Sequence, residues 1–234
     1  MAGTDRIGRI CVSIANPSVE AALAAAREAE SLADVIEIRL DSMVAPAVRP
    51  FLDNLHKPLL FTCRPVWEGG GYEGDETARV DLLIDAAKGG AAYVDIELRT
   101  EESLRQRLLA AIEGTGCQCI VSWHDFKVTA SPSGLAKVLQ EMYRSGAAIG
   151  KIVTTARESL DVLRVLNLQE AAAEVDFPLI AFCMGAPGVV SRVATCALGG
   201  FMTYAAPDSG VSTAPGQLPL SVLAGMLAGL THGD

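Results

Sequence analysis

The feature that most constrains the fold is an eightfold alternation of short apolar runs with longer stretches of helical character. The apolar runs are rich in β-branched residues and recur every 22 to 34 residues. They are RICVSIA (9–15), VIEIRLD (35–41), LLFTCR (59–64), YVDIEL (93–98), CIVSWHDF (119–126), GKIVTT (150–155), LIAFCMG (179–185) and FMTYAA (201–206). A strand followed by a crossover helix needs about this much chain, so the pattern predicts a parallel sheet of βα units.

Segments with helical periodicity fill most of the intervals between these runs. The predicted helices cover 18–32, 76–88, 101–113, 133–143, 157–172 and 219–230, with a short one near 48–55. Eight strands alternating with helices close into a (β/α)8 barrel without an unpaired edge. An open doubly wound sheet is the alternative, but the turn SIANPSVE (13–20) lacks the glycines that usually follow its first strand. The sequence predicts a single α/β domain, a TIM barrel over residues 1–234.

Charge and cysteine usage narrow the class of protein. The net charge of −9 disfavours a nucleic-acid partner, because phosphates require a basic surface. Six cysteines without a CxxC pair indicate buried free thiols in a reducing compartment. The apolar segment 218–230 is too short to span a membrane, and the first residues do not resemble a signal peptide. We therefore expect a cytoplasmic protein with no membrane or nucleic-acid partner.

Ionisable side chains follow the ends of several predicted strands. In a barrel, the carboxyl ends of the strands meet at one rim, where catalytic groups lie. The ionisable residues at or just beyond these ends are Glu37, Arg39, Asp41, Arg64, Glu68, Asp95, Glu97, His124, Lys151 and Arg192. A salt-bridged rim without chemistry is one interpretation. However, burying so many charges costs several kcal/mol each unless they are paired, so stability alone rarely explains such a cluster.

The pairing of His124 with Lys151 indicates a specific chemistry. A lysine amine in a partly apolar, cation-rich site favours its neutral form and can attack a ketone or aldehyde to form an imine. The protonated imine is an electron sink that makes the adjacent C–H acidic, and a histidine is suited to remove that proton. Neighbouring strands lie about 4.8 Å apart, so the ends of the fifth and sixth strands are close together. The pair predicts proton abstraction next to an imine carbon.

Six ordered motifs show that the chain resembles the type I 3-dehydroquinate dehydratase family over essentially its whole length. They are EIRLD (37–41), FTCRPVWEGG (61–70), SWHDF (122–126), GKIVTTA (150–156), MGAPGVVSR (184–192) and APGQ (214–217). The resemblance implies a hydro-lyase of the shikimate pathway that converts 3-dehydroquinate to 3-dehydroshikimate and water. It also implies a homodimer and a reaction without metal or cofactor.

The resemblance also implies roles for individual residues. Lys151 would form the imine, His124 would act as general base and acid, and Glu68 would orient His124. The residues that would bind substrate are Ser13, Glu37, Arg39, Arg64, Arg192, Thr213 and Gln217. Among them, Arg192 would bind the substrate carboxylate, because a guanidinium can make two parallel hydrogen bonds to it.

Two local features depart from the family pattern. Thr213 stands where the family usually has serine, and either Thr213 or Ser212 would supply the hydroxyl of the last loop. Trp67 lies inside the FTCRPVWEGG motif, where it would pack under the loop or line the entrance.

Three alternatives remain open from the sequence. A class I aldolase would also use an imine on a barrel lysine, and a non-catalytic barrel would use no imine at all. A magnesium site built from Glu37, Asp41, Asp95 and Glu97 is conceivable. An imine mechanism does not need it, because the iminium supplies the electron sink.

Overall fold

The protein is built around one curled parallel sheet, in a computed structural model that describes residues 7–209 and 212–231. The eight predicted strands are present, with every end within two residues of the expected position. They are β1 (Ile10–Ile14), β2 (Val35–Arg39), β3 (Leu59–Thr62), β4 (Tyr93–Glu97), β5 (Gln118–Asp125), β6 (Ile149–Thr155), β7 (Leu179–Met184) and β8 (Thr203–Ala206). The ends of the predicted domain, residues 1–6 and 232–234, lie outside the described residues.

The strand order is that of a curled α/β barrel. The sheet runs β7-β6-β5-β4-β3-β2-β1-β8-β9, and β1 pairs in parallel with both β2 and β8. At the seam between β7 and the start of β8, the Phe201 N–H donates to the Leu179 carbonyl at 2.8 Å. A ninth strand, β9 (Leu218–Pro219), lies beside β8. It was not predicted, because two residues are too few to show a sequence pattern. The predicted α/β barrel class is confirmed.

Helices follow the strands on the outside of the sheet. They are α1 (Val19–Ala29), α2 (Arg49–Asn54), α3 (Glu76–Lys88), α4 (Glu102–Ile112), α5 (Pro132–Arg144), α6 (Ser159–Leu166), α7 (Leu168–Glu174), α8 (Val189–Ala197) and α9 (Leu220–Thr231). Side-chain oxygens of Ser18, Asp75 and Ser131 accept backbone N–H groups at the starts of α1, α3 and α5. These caps satisfy N–H groups that have no partner within the helix.

Two helix predictions need correction. The segment predicted as one helix over 157–172 forms α6 and α7, which meet at Asn167. The helix α8 was not predicted, because its sequence VVSRVATCA is rich in β-branched residues that favour strands.

The inward-facing residues of the barrel strands include both apolar and charged side chains. Side chains alternate between the two faces of a strand, so every second residue points inward. On β6, the buried apolar residues Ile149 and Val153 belong to the inner cluster together with Phe182 and Tyr204, and Lys151 lies between the first two in sequence. The outward-facing residues pack against the helices in the larger core cluster. The lysine is therefore held inside the barrel by its strand register.

The predicted state of the cysteines is confirmed: all six are free and buried. Within the described ranges, no helix is both long enough and apolar enough to cross a membrane.

Candidate active site

A cavity opens at the carboxyl end of the barrel strands. Its walls are formed by Glu37, Arg39, Arg64, Glu68, Gly69, His124, Phe126, Lys151, Val153, Phe182, Met184, Arg192, Tyr204, Thr213, Ala214 and Gln217. Nine of the ten predicted site residues are in this wall. The tenth, Ser13, is buried and donates its hydroxyl proton to Glu37 instead. The predicted meeting of His124 and Lys151 at one cavity is therefore present.

Lys151 projects into the cavity from β6 with 4% of its surface exposed. Its Nζ lies 3.2 Å from Asp95 Oδ2 and 3.9 Å from Glu37 Oε1. The aromatic ring of Tyr204 is also close, with its centroid 4.2 Å from Nζ. The amine thus has two carboxylates and an aromatic face as its neighbours, where the sequence suggested apolar and cationic ones.

Asp95 links Lys151 to a buried chain of ion pairs. Asp95 Oδ1 accepts from Ser122 Oγ at 2.6 Å and from Arg64 Nη2 at 2.8 Å. Burial alone would raise the pKa of Asp95, but the cations of Arg64 and Lys151 hold that pKa well below its ordinary range. Asp95 is therefore a fixed anion next to the amine.

The ion-pair chain continues outward through Arg64. Its Nη1 donates to Glu97 Oε1 at 2.6 Å, and Glu97 Oε2 lies 2.6 Å from Arg79 Nη1. Arg79 is fully buried and also donates to the Cys63 carbonyl. Because two carboxylates occupy Arg64, its guanidinium orients neighbouring groups more than it offers free donors to a ligand.

Glu37 is fixed by two hydroxyl groups. Ser13 donates to its Oε2, and Thr62 Oγ1 donates to its Oε1 at 2.8 Å. Both residues lie on neighbouring strands, so the strand register sets the position of the carboxylate. Ser13 therefore supports a cavity residue from below.

His124 and Glu68 form a directed pair at the mouth of the barrel. Glu68 Oε1 accepts the His124 backbone N–H at 3.0 Å and lies 2.9 Å from Nδ1. Glu68 Oε1 already accepts the backbone N–H, so it also acts as the acceptor for Nδ1. Nδ1 of His124 therefore carries the proton and donates it, and Nε2 is the nitrogen that can accept a proton. The Phe126 ring stacks on the imidazole with a centroid distance of 6.0 Å.

Burial decides the charge of this pair. Burial lowers the pKa of His124 well below its ordinary value, and the cations of Arg64 and Lys151 lower it further. Burial raises the pKa of Glu68 to about 8, although the Arg64 cation opposes this change. His124 is therefore a neutral imidazole at neutral pH and can act as a base.

Arg192 is a buried cation with unused donors. Its Nη2 donates to the Pro215 carbonyl at 3.2 Å, and its guanidinium lies 4.6 Å from the Phe182 ring centroid. Its Nε and Nη1 have no hydrogen-bond partner among residues 7–209 and 212–231. Burial lowers the pKa of Arg192 to about 10. A carboxylate ligand would satisfy both free groups.

Asp41 ties Arg39 to the loop that carries Glu68. Arg39 donates to Asp41 through Nε at 2.8 Å and through Nη2 at 2.7 Å. Asp41 also accepts the backbone N–H groups of Arg64 and Gly71, both at 3.0 Å. The carboxylate therefore holds the end of β3 and the following glycine loop together.

The last loop is organised by the side chain of Gln217. Its Oε1 accepts from the Thr213 N–H at 2.9 Å, from Thr213 Oγ1 at 3.1 Å and from Ser212 Oγ at 3.0 Å. Thr213 lines the cavity, whereas Ser212 is exposed outside it. Trp67 is also absent from the cavity wall and is 48% exposed.

Several cavity residues were not predicted. Phe126, Val153, Phe182, Met184 and Tyr204 are apolar or aromatic residues of strands and strand ends, and such residues look like ordinary core in a sequence. Asp95 was considered only as a strand-end carboxylate and as one ligand of a magnesium site. Its pairing with Lys151 was not predicted, since it depends on the register of β4, β5 and β6. Among the described residues, no three His, Cys, Asp or Glu side chains are arranged to hold a metal ion.

Comparison with known proteins gives a consistent result. A model of the type I 3-dehydroquinase family matches residues 10–234. A 3-dehydroquinate dehydratase of Desulfotalea psychrophila is 46% identical over 220 residues, covering 94% of this chain and 97% of the relative. A bifunctional 3-dehydroquinate dehydratase/shikimate dehydrogenase of Arabidopsis thaliana is 34% identical over 89% of this chain and 35% of its own length.

Solved structures show the same relationship. A 3-dehydroquinate dehydratase from Geobacillus kaustophilus superposes with a TM-score of 0.89 at 26% identity, covering 97% of this chain and 93% of that chain. The Clostridium difficile type I enzyme, solved with covalently modified comenic acid, superposes with a TM-score of 0.88 at 25% identity. That match covers 99% of this chain and 95% of the other.

Proposed function

The chain belongs to the type I 3-dehydroquinase family, and from this premise we propose that it dehydrates 3-dehydroquinate to 3-dehydroshikimate through an imine on Lys151. One observation carries the proposal. A buried lysine amine, a neutral histidine with a free Nε2 and an arginine with unused donors line the same cavity. The substrate has a ketone for the first, an acidic C–H for the second and a carboxylate for the third.

The reaction begins with attack of the neutral Lys151 amine on the substrate ketone carbon. The carbon–oxygen double bond is replaced by a carbon–nitrogen double bond. One proton is taken up from solvent, so the ketone oxygen leaves as water while the nitrogen retains one proton and the positive charge. Asp95 lies 3.2 Å from the amine and offers a carboxylate to this charge. The iminium then withdraws electrons from the adjacent carbon.

His124 carries the proton through the next two steps. Its Nε2 removes a proton from the carbon next to the iminium. The C–H electron pair forms a carbon–carbon double bond, and the C=N π electrons move onto the nitrogen to give an enamine. The enamine then expels the β-hydroxyl group, which leaves as water with the proton held by His124. A second water hydrolyses the new iminium, so the net result is one substrate converted to one product and one water.

The remaining cavity residues position the substrate. Arg192 binds its carboxylate through Nε and Nη1, the two groups without a partner among the described residues. Glu37 and Arg39 contact its hydroxyl groups from β2, and Thr213 with Gln217 closes the opposite side. Arg64 and Ser13 act mainly through Asp95 and Glu37, which they hold in place.

Turnover by a lysine variant tests this function. Lys151→Ala should abolish formation of 3-dehydroshikimate, followed by its absorbance, while far-ultraviolet circular dichroism stays unchanged. Lys137→Ala is the matched control, because Lys137 is an exposed lysine on α5. Substantial turnover by Lys151→Ala would contradict the imine, and release of an aldehyde would instead support a class I aldolase. Absence of turnover by the wild-type protein would support a non-catalytic barrel.

We further propose that the protein works as a cytoplasmic homodimer. The six buried free thiols fit a reducing compartment. Helices α6 and α8 pack together and expose Leu160, Leu163 and Val190, each more than half exposed. A second copy of the chain would cover this apolar face.

Light scattering tests the homodimer. The wild-type protein should give twice the chain mass, and Leu163→Glu should give the monomer mass. A monomer mass for the wild-type protein would overturn the proposal.

A further inference from the structure

Tyr204 holds an unusual position on β8. It is 97% buried and lines the cavity, and the centroid of its ring lies 4.2 Å from Lys151 Nζ. Its hydroxyl has no hydrogen-bond partner with acceptable geometry in the part of the chain that the structure describes. A phenylalanine at this position would have the same ring without an unpaired buried hydroxyl. The hydroxyl group therefore does not explain why an aromatic residue lies here.

The ring and the hydroxyl of Tyr204 have different surroundings. The hydroxyl is buried and lies next to the Cys11 thiol. The ring packs against Phe182, with centroids 5.9 Å apart, and its face adjoins the lysine amine. The ring is therefore the part of Tyr204 that contacts a reacting atom.

An aromatic face attracts a cation because its π electrons are negative at the ring centre. In a desolvated site this attraction shifts an equilibrium by roughly 5- to 30-fold toward the charged form. Lys151 is such a site, because 4% of its surface is exposed. The carboxylates of Asp95 and Glu37 approach the same nitrogen.

Imine formation changes what these neighbours can do. An ammonium has three N–H donors, whereas a protonated imine has one. That one donor can keep the contact to Asp95 at 3.2 Å, and Glu37 at 3.9 Å lies beyond hydrogen-bond distance. The attraction to the ring depends on the positive charge and not on the number of N–H groups. The attraction to the ring therefore does not depend on where the remaining N–H group points, and it persists in the iminium.

From this geometry we infer that Tyr204 is a further catalytic residue, whose ring stabilises the positive charge on the Lys151 nitrogen when the ketone is bound as an iminium. The inference rests on the proposed imine function. In the step concerned, the neutral amine adds to the ketone, one proton is taken up from solvent, the ketone oxygen leaves as water, and the nitrogen keeps one proton and the charge. The Tyr204 ring therefore raises the fraction of Lys151 present as the protonated iminium. The Tyr204 hydroxyl is not needed for this effect.

Borohydride trapping with 3-dehydroquinate tests the inference. The reagent reduces the iminium to a stable amine, and mass spectrometry measures the fraction of Lys151 that carries it after a fixed time. Tyr204→Leu removes the ring and should reduce the trapped fraction by roughly 5- to 30-fold. Tyr204→Phe keeps the ring and should restore most of the trapping. Steady-state kinetics should show the loss of Tyr204→Leu mainly in kcat, since the ring does not contact the substrate carboxylate.

A second series protects the test against a variant that fails to fold. Phenylalanines with one, two and three ring fluorines, incorporated at position 204, keep the ring shape and progressively weaken its negative face. Trapping should fall stepwise along this series. Equal trapping across the series, or a Tyr204→Phe protein as defective as Tyr204→Leu, would overturn the role of the ring. Absence of an adduct in the wild-type protein would instead overturn the imine function itself.

Discussion

At the scale of a single residue, the unpaired donors of Arg192 lower the stability of the unbound protein and are available to bind a ligand. Its guanidinium is fully buried, yet Nε and Nη1 have no partner within the described ranges. An unpaired buried donor costs about 1–3 kcal/mol, and burial lowers the pKa of Arg192 to about 10. The unbound protein therefore carries a buried cation with unpaired donors, which an anionic ligand would satisfy.

Replacing this arginine should move stability and binding in opposite directions. Arg192→Met removes the unpaired donors and should stabilise the unbound protein by about 1–3 kcal/mol, measured by chemical denaturation. The same variant should raise KM by roughly 10²-fold, because two charge-assisted hydrogen bonds to the carboxylate are lost. Arg49→Met, on the exposed side of α2, is the control and should change neither value. An unchanged KM in Arg192→Met would remove Arg192 from substrate binding.

The pH dependence of catalysis belongs to His124. Its pKa lies well below 6.5, first because the ring is buried and then because Arg64 and Lys151 are nearby cations. The imidazole is a base above this pKa and is protonated, hence inactive, below it. We therefore expect kcat/KM to fall on the acid side with an inflection below pH 6.5, measured over the range in which the protein stays folded. An inflection at or above the ordinary histidine value would show that burial does not control the base.

The histidine variant separates proton transfer from imine formation. His124→Ala should lower kcat by about 10²- to 10⁴-fold while still forming the Lys151 adduct under borohydride. His56 is exposed, so His56→Ala controls for the loss of an imidazole. If His124→Ala turns over as fast as the wild type, the base must be another group.

At the scale of elements, the loop after β3 is the most constrained part of the site. A Cβ added at Gly70 would lie 2.0 Å from the carbonyl oxygen of Arg64, a distance that atoms do not tolerate. The same loop carries Glu68 and is tied to Asp41 through the Gly71 N–H. The close approach of Gly70 to β3 therefore fixes the carboxyl group that orients His124.

A glycine pair tests this constraint. Gly70→Ala should displace Glu68 and lower kcat by roughly 10-fold or more, since a misplaced catalytic group costs about that much or greater. Gly225→Ala lies in α9, where an added Cβ meets no described residue within 4 Å. It should leave kcat unchanged and stabilise the fold by up to about 1 kcal/mol. Equal kinetics in the two variants would show that the loop adapts without moving Glu68.

The strands could be predicted from the sequence because a buried parallel strand is a compact apolar run with clear ends. Lys151 and His124 were found for the same reason, since a charged or titratable residue stands out within such a run. The helix α8 was missed because packing against β7 overrides the strand propensity of its valines and threonine. The break at Asn167 was missed because local periodicity continues across it.

The sequence predicted which residues form the site better than it predicted which of them contact each other. Whether Asp95 or Glu37 lies next to Lys151 depends on the register of several strands, which a sequence does not display. Tyr204 and Phe182 were missed because an aromatic residue in a barrel strand is usually core. The sequence did not indicate that Ser13 would lie beneath Glu37 and outside the cavity wall.

At the scale of the whole molecule, the ion pairs inside the barrel explain how an acidic protein holds an anionic substrate. The net charge is −9, but the buried carboxylates of Asp95 and Glu97 are paired with Arg64, Arg79 and Lys151. Arg192 remains as a buried cation with free donors among the described residues. Capture of the substrate therefore depends on this local cation and not on the overall charge.

The account depends most directly on a covalent bond at Lys151. Incubating the wild-type protein with 3-dehydroquinate and borohydride, digesting it and sequencing the peptides by mass spectrometry locates that bond. We expect a single reduced adduct on the peptide that contains Lys151, and none in the Lys151→Ala protein. Rapid formation of 3-dehydroshikimate with no adduct on Lys151, or an adduct on another lysine, would contradict the account.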